Sequence, residues 1–414
     1  MKGKKYLIVW GLIILGIIGY IAYDRYDYTR VVAPNKLSMK DKVEDFNQLY
    51  TTIVEGYPFL EVNKRMNGVD FVAKKEEYLK RISSTNRDSK FESVLHSVIK
   101  DLNNDHSGIV SNQFMKDLQA AYLYNEPYKS IYKDLFYNEK VINRYGNTPS
   151  KEELSFNEDN EQSNLVTKDV IKNKVAYMHL PKMLRASAVF NKDMKQIEKY
   201  ISTRRNYESL IIDIRGNGGG YTGYWWEIIS KLTKEPVKNR IYNLFRTNNP
   251  VINEYVYGRP GSEENLRKIK DLPISSMPNA PKEAMGMFTH FAIEEQINNP
   301  DGKSGFNGKI YLLVDSVVYS AAEGLASFCK ETGFATLVGE ATGGDGIGSD
   351  PVLFNLENSG IVVRMSSMMG LTESGVCNEE FKTTPDVMVK DCTKAEDFTD
   401  DKCIQKVIEL QGIK

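Results

Sequence analysis

A serine stands where a strand-like pattern turns into a helix-like pattern in the segment VDSVVYSAAEGLASFCKETG, residues 314–333. Ser320 follows the apolar run KIYLLVD and precedes small and apolar residues that recur at helical spacing. Backbone N–H groups and the dipole at a helix N-terminus favour developing negative charge. Ser320 is therefore a candidate nucleophile, and the N–H of Ala321 is a candidate oxyanion donor. The structural alternative is a helix cap, with Glu323 three residues later completing a capping box.

A glycine cluster follows a second apolar strand pattern in IDIRGNGGGY, residues 212–221. Glycine allows a left-handed turn and presents backbone N–H groups without a side chain in the way. Two N–H groups directed at one point form an oxyanion hole, in which each donor contributes about 3 kcal/mol to transition-state stabilisation. Gly219 and Gly220 are the candidate donors. A tight strand-to-helix turn stays open as the alternative, and a phosphate cradle is disfavoured because no GxxxxGK[ST] motif is present.

A serine nucleophile needs a general base. The chain has four histidines, and His106 lies in NNDHSG, a polar break directly after a helical pattern. This placement makes His106 the candidate base, with an ordinary loop histidine as the alternative.

The composition narrows the class of protein. Hydrophobic residues make up 41% of the 414 residues, which indicates a globular chain. Lys and Arg number 54 and Asp and Glu number 55, so no overall charge favours nucleic acid as a partner. The four cysteines form no CxxC pair, which argues against structural zinc and leaves both a Cys392–Cys403 disulfide and free thiols open. No metal or other cofactor is expected.

The first 25 residues predict a transmembrane signal anchor. Three lysines precede an uncharged apolar run over residues 6–23, close to the length that spans a bilayer as a helix. The lysines predict a cytoplasmic N-terminus and an extracytoplasmic remainder, which places the protein in the cell membrane as a single-pass protein. A cleavable signal peptide is the alternative, although GYIAYDRY offers a poor cleavage site.

Hydrophobic periodicity divides the rest of the chain. Helical patterns predict a small helical domain over residues 26–112 that ends in the His106 loop, followed by a linker over 113–165. From 166 to 414 strands alternate with helices, which predicts an α/β fold with a mostly parallel sheet. A stretch rich in Gly, Pro and Tyr at about 237–307 predicts an inserted flap over the site.

These segments, in their order and spacing, resemble the carboxyl-terminal processing and tricorn-core family of serine peptidases, or tail-specific proteases. The likeness covers residues 46–389 and rests on DLNNDHSGI, LIIDIRGNGGG, GKIYLLVDSVVYSAAEGLA, ATLVGEATGGDG and TTPDVMV. It implies a core related to the crotonase and ClpP spirals and places Ser320 at the nucleophile position. About 50 residues between 111 and 166 are too few for the PDZ domain that many relatives carry.

One departure from the family pattern bears on the mechanism. Relatives with a Ser–Lys dyad carry a lysine in the loop after G-E-x-T, where this chain has Asp345 in GEATGGDG. The resemblance therefore implies the branch that uses histidine, in which His106 takes the proton of Ser320 and a downstream carboxylate orients the ring. By its position before Pro385, Glu379 is predicted to be that carboxylate, with Glu380 as the second choice.

The resemblance implies a membrane-anchored, extracytoplasmic serine peptidase that cleaves peptides or protein tails, with a homo-oligomer left open. Without a PDZ domain, the Tyr-rich segment at 242–257 is expected to contact substrate. Two alternatives use the same residues: an inactive relative that only binds peptides, and a crotonase-type acyl-CoA enzyme. The second fits an anchored extracytoplasmic protein poorly, because CoA is cytoplasmic.

Overall fold

The computed structural model describes residues 37–125, 128–150, 153, 162–185, 187–258, 262–303, 305–348 and 350–412. Its α-helices are α1 Met39–Gly56, α2 Leu60–Asn67, α3 Lys75–Ser83, α4 Asp88–Lys100, α5 Asn112–Tyr122, α6 Tyr128–Phe136, α7 Glu139–Tyr145, α8 Ser187–Ser202, α9 Thr222–Leu232, α10 Pro250–Tyr257, α11 Ser262–Asn265, α12 Ala284–Met287, α13 Ala321–Thr332, α14 Asn378–Phe381 and α15 Lys402–Gln411. Its strands are β1 Gly108–Ile109, β2 Val166–Ile171, β3 Val175–His179, β4 Ser209–Asp213, β5 Val237–Phe245, β6 Leu266–Lys268, β7 His290–Asn298, β8 Lys309–Val314, β9 Thr336–Gly339, β10 Val352–Asn355, β11 Val362–Met365, β12 Met368–Thr372 and β13 Val387–Met388.

The predicted transmembrane helix lies outside the described residues. Within the part of the chain that the structure does describe, none of the helices combines the length and the apolarity that crossing a membrane requires.

The helical region begins with a capped helix. The Ser38 hydroxyl accepts a hydrogen bond from the Asp41 N–H, and the Asp41 carboxylate accepts one from the Ser38 N–H. This reciprocal pair satisfies two donors that α1 could not pair internally. α4 buries Phe91, Leu95 and Val98 on one face, as its 3.6-residue spacing predicts. The end of α4 at Lys100 directs the chain into the loop that carries His106.

The prediction of a linker over residues 113–165 is wrong for the first part of that range. Three helices, α5 to α7, occupy residues 112–145. They bury Leu118, Tyr132 and Phe136 in the same core as α1 and α4. Most polar residues of this segment are exposed, so its composition resembles that of a loop although several of its aromatic residues are buried.

A six-stranded sheet forms the centre of the α/β part, in the order β13-β9-β8-β4-β3-β2. All neighbours pair in parallel except β2, which runs antiparallel to β3 at the edge. Helices α8, α9 and α13 cover one face and α15 covers the other. Every residue of β3 and β4 is buried, which explains their nearly continuous apolar sequences. The prediction of an α/β core is confirmed.

The region expected as a flap is part of a second sheet. β5 pairs antiparallel with β12, which lies much later in the chain, and with β7, which in turn pairs antiparallel with β6. This sheet shares one hydrophobic core with the helical region. Tyr242 and Tyr255 are 5% and 1% exposed, so they are core residues, and the expectation that this Tyr-rich segment contacts substrate is wrong for them.

The carboxyl ends of three neighbouring parallel strands bring together the segments singled out from the sequence. β4 leads into the glycine turn at 216–220, β8 leads into Ser320, and β9 leads into the loop of Asp345. The carboxyl edge of a parallel sheet is where such folds place their sites.

The C-terminal helix is joined to the start of the glycine turn. Cys392 and Cys403 form a disulfide with a Cα–Cα distance of 5.8 Å, which settles the alternative left open by the sequence. The buried Arg215 guanidinium donates to Asp213 at 2.7 Å and to Asp401, the N-cap residue of α15, at 2.7 Å. These contacts hold the residue that precedes the glycine turn.

Candidate active site

Ser320 begins α13 with an unusual backbone conformation. Its φ of 55° and ψ of −127° lie outside the regions that non-glycine residues ordinarily adopt. Such strain persists only where surrounding contacts impose it, and it is concentrated at functional sites. The Ser320 hydroxyl makes no capping hydrogen bond to α13. Glu323 instead accepts from the side chains of Asn378 and Thr383, so the capping-box alternative is wrong.

His106 lies between α4 and β1, and β1 pairs with β11. Its Nε2 atom lies 3.0 Å from Ser320 Oγ. Its Nδ1 atom lies 2.8 Å from Asp345 Oδ2. The Tyr319 ring packs 4.8 Å from the imidazole, measured between ring centroids. The structure therefore brings together the predicted serine and histidine and places a carboxylate at the other ring nitrogen.

Asp345 is held on several sides. Its Oδ2 atom accepts from Asn104 Nδ2 at 2.8 Å and lies 3.2 Å from Ser366 Oγ. The side chains of His106 and Asp345 are 12% and 16% exposed, so the pair is largely shielded from water. Burial alone would raise the pKa of Asp345, but the His106 ring and the donors around the carboxylate outweigh it and lower that pKa to about 2. Asp345 is thus ionised at neutral pH.

Glu379, the carboxylate predicted from the sequence, makes no hydrogen bond with His106. Its Oε1 atom accepts from Asn104 Nδ2 at 3.1 Å, and its Oε2 atom lies 3.4 Å from Lys382 Nζ. Burial, followed by the charge of Asp345, raises the pKa of Glu379 to about 8. Glu379 thus contacts Asn104 and Lys382, and it does not contact the imidazole.

The second choice, Glu380, is also not at the ring. Its carboxylate accepts two hydrogen bonds from the Arg65 guanidinium, at 2.8 and 2.6 Å. Asp345, and neither of the two predicted glutamates, contacts His106 Nδ1. The prediction is wrong because the loop after β9 turns back onto the first turn of α13, and the sequence pattern does not show this path of the chain.

The glycine turn lies directly against Ser320. A Cβ added at Gly219 would lie 2.8 Å from Ser320 Cβ and 2.9 Å from Ala321 N. The Gly219 N–H, a predicted oxyanion donor, instead donates to Asn217 Oδ1 at 2.8 Å. Among the described residues, the N–H groups of Gly220 and Ala321 have no hydrogen-bond acceptor. The geometry therefore favours Gly220 and Ala321 over Gly219 as oxyanion donors.

Two further polar residues that contact Asp345 are not predicted by the sequence analysis. Asn104 and Ser366 lie 2.8 and 3.2 Å from Asp345 Oδ2, and Ser366 Oγ lies 3.1 Å from Asn104 Oδ1. Asn104 belongs to the same NNDHSG motif as His106, and this closeness in sequence indicates that it lies near the site. Ser366 follows β11, and no sequence motif links it to the site. No group of three or more His, Cys, Asp or Glu side chains in the described chain is arranged to hold a metal ion.

The chain matches the model of peptidase family S41 over residues 174–389, more than half of its length. A candidate peptidase from Parabacteroides merdae has the same fold, with 18% identity, a TM-score of 0.57, and coverage of 91% of this chain and 97% of that chain. Mature CPAF complexed with lactacystin is similar with 13% identity, a TM-score of 0.54, and coverage of 90% and 97%. At these identities the structural likeness shows the fold alone. No curated protein sequence matches the chain.

The family match covers Ser320, Asp345 and the glycine turn, whereas His106 lies before it. The matched region is the α/β core described above, and the structural likenesses extend over the helical region as well. The chain belongs to peptidase family S41 and is a serine-type peptidase.

Proposed function

We propose that this chain is a membrane-anchored, extracytoplasmic peptidase that cleaves peptides or protein tails through an acyl-enzyme on Ser320. The observation that carries the proposal is the hydrogen-bonded row of Ser320, His106 and Asp345. Its two distances, 3.0 Å and 2.8 Å, lie in the range that proton transfer requires.

The acylation step follows from the two ring nitrogens of His106. The ionised Asp345 accepts a hydrogen bond from the Nδ1–H group, which leaves Nε2 with its lone pair directed at the Ser320 hydroxyl. As Ser320 Oγ attacks the scissile carbonyl, its proton passes to Nε2 and the ring becomes cationic. Asp345 stabilises that cation, and Nε2 then gives the proton to the leaving amine. Attack by water, with the same base, releases the acyl group and restores the serine.

The oxyanion formed in each step needs donors that are already in place. The Ala321 N–H stands at the start of α13, where the helix dipole favours negative charge. The Gly220 N–H lies on the turn that packs against Ser320. These two groups are the proposed oxyanion donors, and the Asn217 side chain fixes the turn through Gly219.

Two observations support an extracytoplasmic location. The lysines before the apolar run at residues 6–23 predict that the remainder of the chain lies outside the cytoplasm. The Cys392–Cys403 disulfide fits an oxidising compartment.

A fluorophosphonate probe tests the enzymatic part, because it reacts with an activated serine. We expect labelling of the wild type and none of Ser320→Ala, with His106→Ala strongly reduced. The same variants should lose cleavage of fluorescently labelled casein. A folded wild type that neither takes up the probe nor cleaves casein would contradict the proposal and favour a peptide-binding relative without turnover.

Membrane anchoring is tested separately on the full chain. We expect the protein to remain in the membrane fraction after alkaline carbonate extraction, and a variant lacking residues 1–25 to be released. An added protease should reach the folded part from outside the cell. Release of the full chain by carbonate, or protection from external protease, would overturn this part alone.

A further inference from the structure

The short helix α14 contacts two of the loops that carry the proposed triad. The Asn378 side-chain oxygen accepts from the backbone N–H of Gly346 at 3.0 Å, one residue after Asp345. The next residue, Glu379, accepts from Asn104 Nδ2 at 3.1 Å, two residues before His106. Both residues are buried, with 3% and 7% exposure. One turn of chain thus holds the base-carrying loop and the acid-carrying loop at once.

A third contact joins α14 to the helix of the nucleophile. Glu323 lies one turn after Ser320 on α13 and is fully buried. Its Oε1 atom accepts from Asn378 Nδ2 at 2.6 Å. The amide of Asn378 therefore uses its nitrogen toward Glu323 and its oxygen toward the Asp345 loop, and neither end is free to rotate without loss of a buried hydrogen bond.

The Asp345 loop needs such restraint. Asp345 has a φ of 48°, which is unfavourable for a residue with a side chain. Gly346 packs so closely that an added Cβ would lie 2.4 Å from both the Ser320 carbonyl oxygen and Glu323 Cβ. A loop with strained backbone and such close packing stays in place only if neighbouring contacts fix it.

We propose that Asn378 and Glu379, anchored by Glu323, are positioning residues that hold the three triad-bearing segments in register. The proposal rests on the proposed function of Ser320, His106 and Asp345. None of the three touches the reacting atoms; each acts through a loop. Glu379, expected from the sequence to orient the imidazole directly, acts indirectly through Asn104, whose side-chain amide also donates to Asp345.

Release of these loops lowers the rate of the chemical step more than it weakens substrate binding. A displacement of about 1 Å among catalytic groups can cost on the order of 100-fold in rate. We expect Asn378→Ala to lower kcat by about 10- to 100-fold, with KM changed little, and to slow fluorophosphonate labelling by the same factor.

Asn298→Ala is the matched control. Asn298 is also fully buried, and its side-chain amide donates to the Trp226 carbonyl at 2.8 Å, away from the triad loops. Asn378→Ala removes two buried hydrogen bonds and Asn298→Ala removes one, so the thermal stability should fall in both variants and further in Asn378→Ala. Only Asn378→Ala should lose kcat and labelling rate. Equal kcat in the two variants would overturn the proposal.

Conservative replacement separates positioning from general destabilisation. Glu323→Gln keeps a carbonyl oxygen for Asn378 and should retain most of the activity, whereas Glu323→Ala should behave like Asn378→Ala. Should Asn378→Ala fail to fold, Glu379→Ala is the second variant, and wild-type kcat in it would refute the role of α14. If the wild type takes up no probe, the proposed function itself is refuted. If the wild type and all variants are labelled at the same rate, only the positioning role is refuted.

Discussion

His106 Nε2 and Ser320 Oγ lie 3.0 Å apart although 214 positions separate the two residues in the chain. The imidazole comes from a loop after α4, and the hydroxyl comes from the start of α13, at the carboxyl edge of the central sheet. Only the docking of the helical region onto the α/β core brings them together. The site is therefore a product of tertiary packing, and its geometry depends on contacts between the two regions.

The carboxylate that supports His106 can be identified by comparing two isosteric variants. Asp345→Asn removes the negative charge at Nδ1 and can present an amide N–H to that atom, so it should lower kcat by on the order of 10³- to 10⁴-fold, because the ring is then no longer held in the reactive tautomer. Glu379→Gln keeps an oxygen for Asn104 and should retain most of the activity. Steady-state kinetics on a peptide substrate measures both. A larger loss in Glu379→Gln than in Asp345→Asn would reverse the assignment.

The sequence predicted the parts of this site whose placement is local. A strand that ends in glycines and a strand that ends before Ser320 both follow from hydrophobic pattern, and parallel pairing places their ends at one edge. The carboxylate could not be chosen in this way. Asp345 and Glu379 are both near Asn104, and which of them reaches His106 depends on how the glycine-rich loop that carries Asp345 folds over α13.

The helices within residues 112–145 are a second feature that the sequence pattern does not predict. Tyr132 and Phe136 are buried, yet the many polar residues around them give the segment the composition of a loop. Their burial comes from distant partners in the same core, which include Tyr255 and Phe354. Short helices that depend on non-local packing carry a weak periodic signal, because tertiary contacts rather than local propensity stabilise them.

The disulfide predicts a definite thiol count. Cys329 and Cys377 are buried free thiols, and Cys392 and Cys403 are bonded. A thiol reagent should therefore find none in the native protein, two after denaturation, and four after denaturation with reductant. Replacing both Cys392 and Cys403 with Ser should lower the free energy of unfolding by on the order of 2–3 kcal/mol, since the bond closes a short loop. Four thiols in the unreduced denatured protein would contradict the disulfide.

Two buried carboxyls predict that stability falls as pH rises. Burial raises the pKa of Glu323 to about 7, and burial with the Asp345 charge raises that of Glu379 to about 8. In the unfolded chain such groups titrate near about 4.3. Between those values the folded state binds more protons, so the free energy of unfolding decreases with pH. We expect a loss of more than about 1 kcal/mol between pH 5 and pH 9 in urea unfolding.

The double variant Glu323→Gln with Glu379→Gln provides the control for this pH dependence. It removes both titrating groups while it keeps their size and one acceptor oxygen each. Its stability should change much less across the same interval. An unchanged slope in the double variant would assign the effect to other groups.

The close packing of Gly219 against Ser320 predicts that a side chain at this position disturbs the nucleophile. Its φ of 104° is open to glycine, and an added Cβ would lie 2.8 Å from Ser320 Cβ. Gly219→Ala should therefore displace Ser320 or the turn and reduce fluorophosphonate labelling by more than about 100-fold. Gly333→Ala, at the other end of α13, is the matched control, because it has a φ of 66° and no atom within 4 Å of an added Cβ. That variant should lose about 1 kcal/mol of stability through backbone strain alone and keep its labelling rate. Equal labelling rates in the two variants would show that the reactivity of Ser320 does not depend on how the turn packs against it. That result would contradict the proposed role of Gly220 as an oxyanion donor and leave Ala321 as the remaining donor.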